Sequence, residues 1–195
     1  RYAEIALSKA KADEETAIAV YDPEDDVGVA ERLHRENALR EAVERRDFVV
    51  WYQPVVDLES GTTVGAEALV RWRHPERGIV SPAEFLPLAE ETGLIVPIGY
   101  QVLEQAMCDA AGWIEQLGND RFRLSVNLSP TQYRAPDAVD RIETITEASD
   151  FPLDQLVLEL TENILITSRG KLSPLPERGM REAIDDFGTG YSSLQ

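Results

Sequence analysis

The chain has 195 residues, 43% of them apolar, enough to build a core for one domain or parts of two, which excludes intrinsic disorder. Its formal net charge of −17 makes nucleic acid and anionic membrane surfaces repulsive partners, so an anionic ligand needs local help from a metal or an arginine. With one cysteine, no run near the roughly 20 apolar residues of a membrane span and no signal-peptide core at the start, the chain is expected to be cytoplasmic.

In chain order, residues 1–21 read as a short helix carrying Ile5, Ala6 and Ala10, then the strand-like TAIAVY. From Val27 to Arg46 the acid-to-base pairs Glu31 to Arg35, Glu36 to Arg40 and Glu41 to Arg45 stand at helical i,i+4 spacing and predict a solvated connecting helix. After Asp47 the texture changes to FVVWYQPVVDL, a strand, followed by the turn residues SGTT and the strand VGAEALVRW. Ser81-Pro82-Ala83-Glu84 predicts a capping box opening a helix through Phe85, Leu88 and Ala89 that stops at Gly93.

A longer helix follows, with Val102, Leu103, Ala106, Met107, Ala110, Trp113, Ile114 and Leu117 as its apolar face and Gly118 as C-cap. Cys108, in the same apolar stretch, reads as a small buried hydrophobe. Phe122, Leu124, Val126 and Leu128 alternate as a strand, Ser129-Pro130-Thr131-Gln132 is a second capping sequence, and a helix runs through Val139, Ile142 and Ile145. The strand QLVLEL leads to Thr161 and Glu162; from Asn163 to Met180 no helical pattern emerges, and two prolines stand where a crossover helix belongs. Strands alternating with helices argue for parallel β/α units, in a barrel or in a doubly wound sheet.

Four strand-like runs end on hard oxygen donors: TTVGAEALV on Glu67, RFRLSVNLS on Asn127, QLVLELTE on Glu159 and REAIDD on Asp185 and Asp186. The four are 60, 32 and 26 residues apart, the last two spacings being those of a single β/α unit. Ligands delivered one per strand converge at one mouth of a barrel, whereas a doubly wound sheet gathers them at one switch point. Three carboxylates and an amide oxygen suit Mg²⁺ or Mn²⁺, and the adjacent Asp186 allows a second ion. Each acid taken singly could instead be a solvated strand end or a helix cap. His74, before Pro75, reads as structural, and Gly188 and Gly190 as loop-turning residues, not a phosphate cradle.

YQPVVDL, Glu67-Ala68-Leu69-Val70-Arg71-Trp72, SPAEFLPLAEETGLI, SVNLSPTQY, LELTEN and DDFGTGYSSLQ follow one another in the order of the EAL-domain cyclic di-GMP phosphodiesterases, which residues 48–195 resemble. YAEIALSKAKADEETAIAVYDP is similar to the end of a GGDEF diguanylate cyclase domain, although Ser8 and Asp13 depart from that pattern. The resemblance implies a GGDEF remnant over residues 1–22, a linker helix over 23–46 and an EAL domain over 47–195. It implies an α/β fold, a TIM-like (β/α)8 barrel with one antiparallel strand. It also implies hydrolysis of cyclic di-GMP to linear pGpG; a receptor that binds the dinucleotide without cutting it is the alternative. A metal-dependent aldolase on the same barrel is a third reading.

By position, the resemblance makes Glu67, Asn127, Glu159, Asp185 and Asp186 ligands of two Mg²⁺ or Mn²⁺ ions, with Glu67, Asp185 and Asp186 catalytic. Glu162 would brace the Asp186 loop, Gln53, Leu69 and Arg71 would line the ligand, and the domain would offer a homodimer contact. Arg71 could alternatively pair with Glu67 or Glu90. Only about five strands are countable from Phe48 onward, against eight in a closed barrel. The family's catalytic lysine is therefore expected beyond Gln195, these residues alone are expected to be inactive, and the full-length protein could be tethered to a membrane through regions before Arg1.

Overall fold

A computed structural model describes residues 23–119, 121–161 and 179–185. The chain divides into two compact units, residues 1–41 and 42–195. Helix α1 (Pro23–Arg45) accounts for the described part of the first unit. Its expected pairs include Arg40 to Glu36 at 2.8 Å, and Leu33 is exposed while Leu39 is buried. Its last residues belong to the second unit, where Arg46 turns the chain in a left-handed conformation at φ 57°.

The second unit is built on one sheet. Strand β1 (Phe48–Val56) forms an antiparallel hairpin with β2 (Thr63–His74), and β2 pairs in parallel with β4 (Arg123–Leu128). Parallel pairing continues through β5 (Leu156–Thr161) to β6 (Arg181–Asp185), giving the order β1-β2-β4-β5-β6. Among the described residues, the five long strands match the sequence count. The sixth, β3 (Gly78–Val80), was not expected; it folds back on the upper end of β2, opposite Trp72, Arg73 and His74. His74 makes that turn, its Nδ1 accepting the backbone N–H groups of Glu76 and Arg77, each at 3.2 Å.

Helices α2 (Pro82–Thr92), α3 (Ile95–Leu117), α4 (Pro130–Tyr133) and α5 (Ala138–Ser149) carry the chain between strands. Strand side chains alternate between faces, so a run with apolar residues at every second position buries one face only. Leu124, Val126, Leu128, Leu156, Leu158 and Leu160, all at even positions, are at most 5% exposed and form the core with Leu103, Met107, Ala110 and Ile142 of the helices. Phe48, Trp72 and Phe85 form a ring cluster with centroids 5.6 to 6.2 Å apart, which seats α2 on the upper ends of β1 and β2.

Several local expectations are corrected. Ser81 is the α2 N-cap, but its side chain makes no cap hydrogen bond: the Glu84 carboxylate binds the Arg77 guanidinium instead, and that partner holds its pKa low. Gly93 does end the helix, at φ 73°. Cys108 is exposed, because five residues on from Leu103 a helix has turned it away from the buried stripe. The Ser129 capping box forms, yet it opens only the four-residue α4. Pro136 disfavours a helical conformation at Ala135, and α5 starts anew at Ala138.

Candidate active site

The odd-numbered strand positions face away from the helices. Strand register places Gln53 opposite Glu67, Glu67 opposite Ser125, Asn127 opposite Glu159, and Thr161 opposite Asp185. Glu67, Asn127 and Glu159 therefore share the face that lines a barrel's interior, near the C-terminal ends of the parallel strands. Asn127 Nδ2 donates to Glu67 Oε1 at 2.9 Å, joining two of the expected ligands across 60 residues of sequence. The other amide atom, Oδ1, remains as an oxygen donor beside two carboxylates, a chemistry that fits a hard divalent cation. The β6 backbone brings Asp185 to the same end of the sheet.

The side chain of Asp185, together with Asp186, Glu162 and the Asp186–Gly190 loop, lies outside the described residues. Among the described residues, no three His, Cys, Asp or Glu side chains gather into a metal-binding group.

Glu67 does not end its strand. β2 continues for seven residues, because β1 pairs with it along one side up to Trp72, while β3 takes over from β4 along the other. Leu69 and Arg71 follow Glu67 on the same face and form a wall above it. Arg71 pairs with neither Glu67 nor Glu90. Its Nη1 donates to the Val70 carbonyl at 2.7 Å, and its guanidinium lies over the Trp51 ring, 5.1 Å from the centroid. Glu90 instead accepts the Thr131 hydroxyl at 3.0 Å, tying α2 to α4. An apolar cavity of about 260 Å³ flanks this wall, lined in part by Leu69, Leu86, Ile98, Val102, Asn127 and Pro130.

Sequence reasoning missed Trp51 as Arg71's platform. Its signal was present in register: two antiparallel residues one step apart on one face are diagonal neighbours, and Trp51 stands opposite Leu69.

Helices backing a parallel sheet whose first strand is reversed, with oxygen donors at one end, define an α/β protein of the TIM-like barrel class. The chain belongs to the EAL domain family, whose model matches residues 36–195. It is 37% identical, over 98% of its length, to the "Bifunctional diguanylate cyclase/cyclic di-GMP phosphodiesterase MucR" of Pseudomonas aeruginosa, and covers 28% of that protein. It is 41% identical, over 75% of its length, to the same organism's "Cyclic di-GMP phosphodiesterase PA2567", covering 25% of it. The solved structure "PaMucR Phosphodiesterase, c-di-GMP complex" superposes with a TM-score of 0.74 at 41% identity, over 84% of this chain and 66% of that one. The chain thus spans about a quarter of the length of these curated relatives.

Proposed function

We propose that the complete protein hydrolyses cyclic di-GMP to linear pGpG. The observation that carries this reading is the shared face of Glu67, Asn127 and Glu159, with Arg71 set higher on the same strand as Glu67. A carboxylate and amide set needs a cation, and a dinucleotide phosphate needs a cationic fork; one face offers both. Glu67, Asn127, Glu159, Asp185 and Asp186 would hold two Mg²⁺ or Mn²⁺ ions, which when bound supply charge neutralisation and activate water.

Arg71, held by the Val70 carbonyl and Trp51, binds and orients one phosphate, while Leu69 and Gln53 line the ligand. In the reaction a water oxygen bonds to phosphorus and the bond from phosphorus to the ribose 3′ oxygen breaks. That oxygen leaves with a proton, giving a 5′-phosphate on the linear product. Glu162 braces the loop that carries Asp186.

The organisation we propose is a GGDEF end over residues 1–22, a linker helix over 23–46 and the EAL domain over 47–195, in a cytoplasmic homodimer. A relative that matches 98% of this chain is named as both a diguanylate cyclase and a cyclic di-GMP phosphodiesterase, which supports the presence of both domain types. No described helix is long and apolar enough to cross a membrane.

The test is to incubate the full-length protein with cyclic di-GMP and Mg²⁺ or Mn²⁺ and follow pGpG by chromatography. Turnover that disappears in Glu67→Ala is expected. Turnover unchanged in that variant overturns the metal assignment, and calorimetric binding with no product makes the protein a receptor.

A further inference from the structure

We infer that Gly99 and Gln132 form a positioning lock for Asn127, setting the cation affinity of the candidate site from outside it; this rests on the metal-site reading above. Asn127 is the next-to-last residue of β4, and the chain turns at Ser129 into α4. A ligand at the frayed end of a strand keeps its geometry only if the following turn is fixed.

Here the turn is fixed twice. Ser129 Oγ accepts the Gln132 backbone N–H at 3.1 Å, and Gln132 Oε1 accepts the Ser129 N–H at 3.3 Å. Gln132 is a polar side chain buried to 2% exposure, and its carboxamide lies against the backbone of Gly99 on α3. A Cβ at position 99 would overlap the carboxamide nitrogen, carbon and oxygen together.

A flexible side chain usually yields to such an overlap. This one has little room, since it is enclosed and since moving it breaks the bond to Ser129 N, two residues from Asn127. Glycine at 99 is thus required by close approach: Gly99 lies inside α3, in its second turn, where alanine would otherwise be the better helix former. The contact makes α3 the fixed body against which the end of β4 is registered. Gln132 and Gly99 act on Asn127 through Ser129; they are positioning residues.

The experiment titrates Mn²⁺ into the full-length protein, counts free ion by its electron paramagnetic resonance signal, and records the melting temperature without metal. Gln132→Ala, which adds no atoms, and Gly99→Ala are each expected to weaken Mn²⁺ binding about tenfold, as loss of a second-layer partner does. The double variant is expected to bind no more weakly than Gln132→Ala alone, because the truncated side chain no longer meets the new methyl group.

Mn²⁺ affinity within twofold of the parent in a folded Gln132→Ala protein, whatever its melting temperature, overturns the lock and leaves the metal site standing. Strictly additive losses in the double variant also overturn it. A parent protein that binds no Mn²⁺ refutes the metal site itself, and the lock falls with it.

Discussion

Replacing Arg71 with lysine isolates what a planar fork contributes beyond positive charge. Two interactions are lost. The guanidinium lies 5.1 Å from the Trp51 ring centroid, and Trp51 is 52% exposed, so this stacking is a solvent-side contact of about 0.5 kcal/mol. Lysine also offers a phosphate a single point of contact in place of two parallel N–H groups, and one charge-assisted hydrogen bond is worth about 1.5 kcal/mol. Together they amount to about 2 kcal/mol, which at 1.4 kcal/mol per decade is about a 30-fold rise in Kd. Calorimetric titration of cyclic di-GMP into full-length protein without divalent metal reads this free of turnover. Arg77→Lys, whose partner is Glu84, is the control and should leave Kd unchanged. An Arg71→Lys Kd within twofold of the parent would refute the assignment of Arg71 to phosphate.

Two predictions concern the scaffold. The Tyr52 hydroxyl donates to Asp109 Oδ2 at 2.5 Å, and burial together with that carboxylate raises its pKa well above the usual 10.0. A raised acid pKa stabilises the fold below pH 10 and ceases to do so as the pH climbs toward the folded value. Tyr52→Phe should therefore cost about 1.5 kcal/mol at neutral pH, with the gap from the parent closing in alkaline urea melts; a gap that widens contradicts this. Leu158, fully buried in β5, should lower the midpoint of the barrel's urea transition when cut to alanine, by about 2 to 5 kcal/mol in stability. A loss below about 1 kcal/mol would mean that β5 is not the sheet's core strand.

The shared face of the candidate site was legible in the sequence where a period of two separated polar from apolar positions. In Leu124 to Leu128 and Leu156 to Leu160 the even positions are leucine or valine, so the polar Asn127 and Glu159 had to share the other face. What escaped depended on partners distant in sequence or on helical phase. β3 has three residues and exists because the top of β2 offers a ladder. The Ser81 box lost its glutamate to Arg77, a partner placed by the β2–β3 turn. Cys108 has apolar neighbours in sequence but points away from them in space. Glu67 reads as a strand end although Ala68, Leu69 and Val70 continue the apolar run, and pairing carries its strand on to His74.

That prolonged strand has an evolutionary consequence. Along the edge away from β1, β2 is held by β4 up to Ala68 and by β3 from Trp72 onward, so on that edge its lower and upper parts answer to different neighbours. The Pro75–Arg77 turn can lengthen, shorten or change sequence without shifting the rung that fixes Glu67 against Ser125. On the proposed reading, selection can therefore vary Leu69 and Arg71 in the upper wall while Glu67 keeps its place below them, the two parts inherited as separate modules on a single strand.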